Sequence, residues 1–249
     1  MKEVLERTIS AKEINAVIFD MDGVVTDTAT LHMAAWKKLF NNFLDNHYPD
    51  KKRFTPTDYY NLVNGISRLD GIRNFIASRN INLPDGSPSE ERNSRPTVHS
   101  LAYKKNKYFK EILNQKQAEV FQDTIALIKQ LKSKNIKTGL ISASKNAEEI
   151  VEKAGIKELF DIIADGKLAA KEHIKGKPAP DIFLYAAKSL KVKSSQAAIA
   201  EDASSGIKAA KAGAFKLVIG VDREGKDEML YNAGADIVIN NFNEIKISD

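Results

Sequence analysis

Two rhythms of apolar residues divide this chain. One is a series of short, nearly unbroken runs: Ala16-Val17-Ile18-Phe19, then 137–141, 160–163, 197–200, 216–220 and 236–239. Runs this short and rich in β-branched residues suit strands buried on both faces of a parallel sheet. Between them apolar residues recur at helical spacing, which predicts helices over 122–134, 146–154, 180–190, 204–212 and 226–233. Gly155, Gly213 and Gly234 stand where three of these helices stop. Strands alternating with helices of this length predict right-handed βαβ crossovers.

The strand rhythm is missing from residues 33–115. There Ala35, Trp36, Leu39, Phe40, Phe43 and Leu44 predict an amphipathic helix from His32 to Asn46. Further helices are expected from Thr57-Asp58, with Thr57 as N-cap, to Gly65, from Leu69 to Arg79, and from Thr97 to Gln115. Residues 82–96 are rich in Pro, Gly, Ser and Asn and read as a loop. Residues 1–14 read as a short leading helix or a loose arm. The expected organisation is an α/β core of residues 1–32 and 116–249, with an all-helical insertion, 33–115, after the first strand. An insertion at that sheet edge can act as a lid.

Composition narrows the chemistry. The chain of 249 residues has no cysteine, which excludes disulfides, thiolate zinc sites and cysteine nucleophiles and agrees with a cytoplasmic setting. The start mixes charges of both signs without an apolar stretch, and no run reaches the ~18 residues a membrane span needs. Net charge is +5, but the lysines are scattered over helix faces, as in Lys104 to Lys116. A solvated face accounts for them, and no nucleic-acid motif accompanies them.

Candidate chemistry sits where the strands end. Asp20 closes the first strand, at the carboxyl edge where open α/β sheets bind ligands. Asp22 points the same way if the backbone stays extended, and Gly23 permits the exit turn. Two such carboxylates call for a cation between them or a proton on one, and of the cations Mg²⁺ is the natural candidate. Strand 137–141 runs into Ser142-Ala143-Ser144-Lys145-Asn146, hydroxyls and free N–H groups suited to phosphate. Lys177 precedes a proline-stiffened helix start, and strand 197–200 ends in Glu201-Asp202. Each has a plainer reading alone, as a cap or a surface lysine. Four strand ends that together offer acids, a serine and a lysine argue for one site.

Asp20-Met-Asp-Gly-Val-Val-Thr-Asp27, Ser142 after its strand, Lys177-Pro and Glu201-Asp202 resemble the four motifs of the haloacid dehalogenase superfamily of phosphotransferases. Thr26-Asp27-Thr28-Ala29 with His32, Gly65-Ile66-Ser67-Arg68, and Leu101 to Asn106 are similar to its β-phosphoglucomutase branch. The resemblance implies a doubly wound, Rossmann-like parallel sheet with a helical cap. It implies Asp20 as nucleophile, through a phosphoaspartate, and Asp22 as general acid/base that also lends a backbone carbonyl to Mg²⁺. Glu201 and Asp202 would complete the metal site, while Ser142 and Lys177 hold the phosphoryl group. Ser144, Lys145 and Asn146 would line the same pocket. Arg68, assisted by Lys105 and Asn106, would hold a distal phosphate, with Thr28 and His32 near the hinge. The implied substrate is a small sugar phosphate, handled by a mutase or by a phosphatase with the same nucleophile. No nucleic-acid or membrane partner is expected, and a monomer is. The sequence departs from the compact mutases in the long 82–96 loop and in Val120-Phe121-Gln122-Asp123, where a proline-glycine turn is common.

Overall fold

The computed structural model describes residues 7–88, 96–116, 118–223, 225 and 227–249. The chain forms two compact units, one of Met1–Asp27 with Glu119–Asp249, the other of Thr28–Ala118. Residues 28–32, 116 and 118 thus group with the helical unit, although the pattern of apolar residues assigns them to the core. Part of the expected leader (1–6), part of the 82–96 loop (89–95) and residue 226 of an expected helix lie outside the described residues.

In the α/β unit the first element is β1 (Thr8–Ser10), then β2 (Ala16–Asp20). All five residues of β2 are buried, as its apolar run requires. The helical unit supplies α1 to α4, described below. The chain then returns through α5 (Gln122–Ser133), β3 (Lys137–Ile141), α6 (Ala147–Lys153), β4 (Ile162–Ala164), α7 (Gly166–Lys171), α8 (Asp181–Ser189), β5 (Ala197–Glu201), α9 (Ser204–Ala212), β6 (Leu217–Val221), α10 (Asp227–Ala233), β7 (Ile237–Ile239) and β8 (Lys246–Ser248). Among the described residues six strands form one parallel sheet in the order β4-β3-β2-β5-β6-β7. The fold is the doubly wound α/β type. The chain leaves β2 for β3 on one side and later returns to β5 on the other. β2 is therefore the switch point of the sheet, and its carboxyl end, Asp20, is where such sheets open a crevice. Ile18, Ile199, Phe183 and Ile207 lie in the apolar core that joins the sheet to its helices.

Two expectations need correction, and one helix adds to them. Residues 8–10 are a strand, not a helix or loose arm: β1 pairs in parallel with β8, Thr8 opposite Lys246. The strand expected at 160–163 is shifted to Ile162–Ala164, because Lys157–Leu159 winds into a 3₁₀ turn and Phe160 and Asp161 only lead in. α7 was not expected at all; its six residues are too few to show a period.

The helical unit contains α1 (Ala29–His47), a single turn α2 (Pro56–Asp58) that passes into a π-helical turn Tyr59–Val63, α3 (Arg68–Ser78) and α4 (Val98–Gln115). The N-cap of α2 is Thr55 rather than Thr57. Its hydroxyl accepts from the Asp58 amide, the Asp58 carboxylate accepts from the Thr55 amide, and Pro56 fills the first helical position. Trp36, Phe40, Phe43, Phe54 and Phe75 form much of this unit's own core. Among the described residues no helix is long and apolar enough to cross a membrane.

Candidate active site

Asp20 ends a fully buried strand and is itself 3% exposed. Past it the chain must turn sharply, and Gly23 does so at φ +84°. A Cβ at that position would also lie 2.6 Å from Asp202 Oδ2, so Gly23 lets the Asp202 carboxylate approach the backbone. The turn brings the Asp22 amide round to donate to Asp20 Oδ2 at 3.0 Å. The Asp22 carboxylate accepts from Ser142 Oγ, just past the end of β3, at 3.1 Å on Oδ2.

Lys177 is 5% exposed and precedes Pro178 through a cis peptide bond. Its ammonium donates to Asp20 Oδ1 at 2.6 Å and to Glu201 Oε1. Glu201 is completely buried, and its other oxygen accepts from the Ala203 amide at 3.0 Å. Its carboxyl group packs directly over Gly206 in α9, where no side chain would fit.

Burial pushes the Asp20 carboxyl above its ordinary range; Lys177 opposes this, while Glu201 and Asp22 add to it. Burial likewise raises Asp202, reinforced by Glu201 and Asp20. Burial disfavours the charge on Lys177 too, but Asp20 and Glu201 outweigh it and push the ammonium above its usual range. One ammonium therefore stands among the three carboxylates of Asp20, Glu201 and Asp202.

Among the described residues Asp20, Glu201 and Asp202 each bring an oxygen within 4.8 Å of the others, an arrangement that could hold a metal ion. An all-oxygen, anionic donor set fits a hard divalent cation. The Asp22 carboxylate is not part of this trio.

Beside it, Ser142 to Asn146 form a tight loop. Ser142 Oγ accepts from the Ser144 amide at 3.0 Å, and Ser144 Oγ accepts from the Asn146 amide at 3.2 Å. Ser144 and Asn146 are buried, while Lys145 is exposed.

The remaining expected residues belong to the helical unit, taken by itself. Arg68 donates to Asn106 Oδ1 at 2.9 Å and to the Ala102 carbonyl at 3.4 Å. Lys105, 2% exposed, donates to His32 Nδ1 and lies 4.9 Å from the ring centres of both Trp36 and Phe109. An ammonium accepts nothing, so this ring nitrogen carries no proton in that contact. Thr28 is fully buried at the N-cap position of α1, and its carbonyl accepts from the His32 amide.

These arrangements find counterparts among known proteins. A family model for haloacid dehalogenase-like hydrolases matches residues 14–213. The chain belongs to this family. Within it, the chain is 36% identical over 252 residues to a β-phosphoglucomutase of Mycobacterium tuberculosis (strain CDC 1551 / Oshkosh), covering 98% of this chain and 96% of the relative. It is 27% identical to a phosphorylated carbohydrates phosphatase of Thermotoga maritima, covering 89% and 92%. A crystal structure of β-phosphoglucomutase from Clostridium difficile superposes with a TM-score of 0.74 at 31% identity, covering 93% and 92%. The chain is thus a haloacid dehalogenase enzyme of the β-phosphoglucomutase-like branch, of phosphotransferase or phosphatase type.

Sequence reasoning missed Gly206 in the strand-end site, where, five residues after Glu201, it makes room for the Glu201 side chain. In the helical unit it missed Phe109, which with Trp36 flanks the Lys105 ammonium. Gly206 had a signal, a glycine in the first turn of a helix otherwise rich in alanine; Phe109 had none beyond an apolar position in a helix.

Proposed function

We propose that this chain is a Mg²⁺-dependent phosphotransferase that converts β-glucose 1-phosphate to glucose 6-phosphate through a bisphosphate. The observation that carries the reading is the contrast between two carboxylates at one strand end. Asp20 is shut in beside Lys177, while Asp22, half-buried, takes its hydrogen bond from Ser142. Carboxylates two residues apart in different surroundings suit different chemical tasks.

Asp20 enters the cycle already phosphorylated. The 6-hydroxyl of β-glucose 1-phosphate attacks the acyl phosphate, Asp22 takes the hydroxyl proton, and the bond from phosphorus to Asp20 breaks, which gives the bisphosphate and frees the carboxylate. Asp20 then attacks the phosphorus on the 1-oxygen of the bisphosphate, and the bond from phosphorus to that oxygen breaks. Asp22 delivers its proton to the oxygen, which leaves glucose 6-phosphate and the phosphoaspartate again. Lys177, with Ser142, offsets charge on the phosphoryl oxygens. Ser144, Lys145 and Asn146 line the phosphate side. Asp20, Glu201 and Asp202, with the Asp22 backbone carbonyl, would hold Mg²⁺. The ion supplies positive charge where the transferring oxygens gather it. The helical unit serves as the cap: Arg68 and Asn106 hold the distal phosphate, assisted by Lys105, and Thr28 and His32 stand near its hinge. The protein acts as a cytoplasmic monomer.

The second reading is a sugar-phosphate phosphatase, in which water takes the phosphoryl group from Asp20; the phosphatase among the relatives favours it. One experiment separates them. The protein is incubated with Mg²⁺, β-glucose 1-phosphate and a trace of glucose 1,6-bisphosphate and followed by ³¹P NMR. A glucose 6-phosphate signal supports the mutase; inorganic phosphate alone overturns it in favour of the phosphatase.

A further inference from the structure

The sheet holds Asp20 directly, but Asp22 lies beyond the strand, so its position depends on how the loop after β2 is fixed. That loop closes on itself: the Val25 and Thr26 amides both donate to the Met21 carbonyl at 2.9 Å. It is tied outward at three points to the chain returning from the helical unit. The Asp27 amide donates to the Glu119 carbonyl and the Phe121 amide to the Val25 carbonyl. Thr124 Oγ1, fully buried at the start of α5, donates to the Val24 carbonyl at 2.7 Å.

Thr124 is held in turn by the chain that leaves β6. Arg223, just past β6, donates from one nitrogen to Thr124 Oγ1 at 3.0 Å and to Asp123 at 2.9 and 3.2 Å. Its guanidinium lies 3.8 Å from the Phe121 ring centre. Asp123 also accepts from the Phe242 amide at 2.8 Å. This explains a departure noted in the sequence. Where a proline-glycine turn is common, Phe121 and Asp123 supply the face and the carboxylate that seat one arginine.

We propose that Thr124 and Arg223 are positioning residues that fix Asp22 for proton transfer through the Val24 carbonyl. The proposal rests on the phosphoryl-transfer reading above. Arg223 orients the Thr124 hydroxyl, whose proton is committed to Val24, and Val24 sets the turn that aims Asp22. Asp20, anchored by β2, is insensitive to this chain of contacts.

Thr124→Val removes one hydroxyl at nearly constant volume, and Arg223→Met keeps the stem over Phe121. Each variant is assayed on glucose 1-phosphate and on p-nitrophenyl phosphate, whose phenolate leaves without a proton from Asp22. On the sugar phosphate kcat should fall roughly ten- to hundredfold, the scale of a small misplacement of a reacting group, with the aryl phosphate rate kept within about twofold. In an Asp22→Asn background Thr124→Val should cost nothing further. Equal losses on both substrates, no loss on either, or a full additional loss in the Asp22→Asn background overturns the proposal, as a purely structural role would give. Thr124→Val carries the test if Arg223→Met fails to fold. A wild-type protein with no Mg²⁺-dependent, Asp20-dependent turnover fails before any variant is compared, and sinks the functional reading itself.

Discussion

Gly206→Ala sets two effects of opposite sign against each other. Gly206 is buried in the first turn of α9, where alanine gains about 1 kcal/mol over glycine from helix propensity. The added Cβ, however, would lie 1.6 Å from Glu201 Oε1, 2.1 Å from its Cδ and 2.5 Å from its Cγ. Ordinary contact begins near 3.4 Å, so the carboxyl group must move by about 2 Å. It has nowhere buried to go without giving up the Lys177 ammonium and the Ala203 amide. Charged hydrogen bonds contribute about 1.5–3 kcal/mol each, and breaking a buried ion pair costs about 3–5 kcal/mol. The clash wins, with a net destabilisation of about 2–4 kcal/mol after the helical gain. For a chain of this size that is a fall in Tm of roughly 5–15 °C. The assay is thermal and urea unfolding of the metal-free protein in a four-protein cycle with Glu201→Ala. With the Glu201 carboxyl removed, the added methyl should turn from costly to neutral or stabilising. A Gly206→Ala protein as stable as the parent, or one whose loss is the same in both backgrounds, would refute the reasoning.

Four further outcomes follow. Asp20→Asn should lower turnover by at least ~10³-fold and abolish acid-stable phosphate labelling of the protein, read by mass spectrometry, as the proposed role of Asp20 as nucleophile requires. Mg²⁺ binding should release protons and tighten as pH rises, because burial holds the Asp20 and Asp202 carboxyls above their ordinary range and the ion needs them ionised; calorimetry in buffers of different ionisation enthalpy reads the release, and no proton exchange would count against the site. Arg68→Ala should reduce transfer between sugar positions roughly tenfold or more while sparing slow hydrolysis of the phosphoenzyme, seen as a shift from glucose 6-phosphate to inorganic phosphate in the NMR assay. Burial would raise the Asp58 carboxyl, but hydrogen bonds from Arg79 and Thr55 outweigh it and hold it below its ordinary range. Its stabilising contribution is therefore complete above pH ~4 and lost as pH falls through the lower folded value; urea unfolding from pH 6 downward should show a shallower acid loss in Asp58→Asn.

The legible parts of the fold were those whose chemistry repeats along the chain. The buried run Ala16 to Phe19 can only be a central strand, and the strand ends at Ser142 and Glu201 stand out because polar residues abruptly follow apolar ones. β1 and β8 were not legible, since Thr-Ile-Ser and Lys-Ile-Ser are too short to alternate and gain their meaning only from each other across the fold. Thr55 as N-cap was readable, because Pro56 after it is a helix-start signal that Thr57 lacks. In the site, residue types announced Asp20, Asp22, Lys177 and Glu201. The sequence says nothing of whether Lys177 reaches two carboxylates at once or of the hydroxyl of Thr124 meeting Val24. Those depend on which helix start lies beside which strand end.

The hydrogen bond from the Asp27 amide to the Glu119 carbonyl joins the two places where the polypeptide crosses from one unit to the other. Excising everything between them leaves two ends already side by side, close enough for a short hairpin turn to splice. The α/β half is in this sense a socket with adjacent terminals. A different insert could be grafted there without re-threading the sheet and without disturbing the strand-end carboxylates.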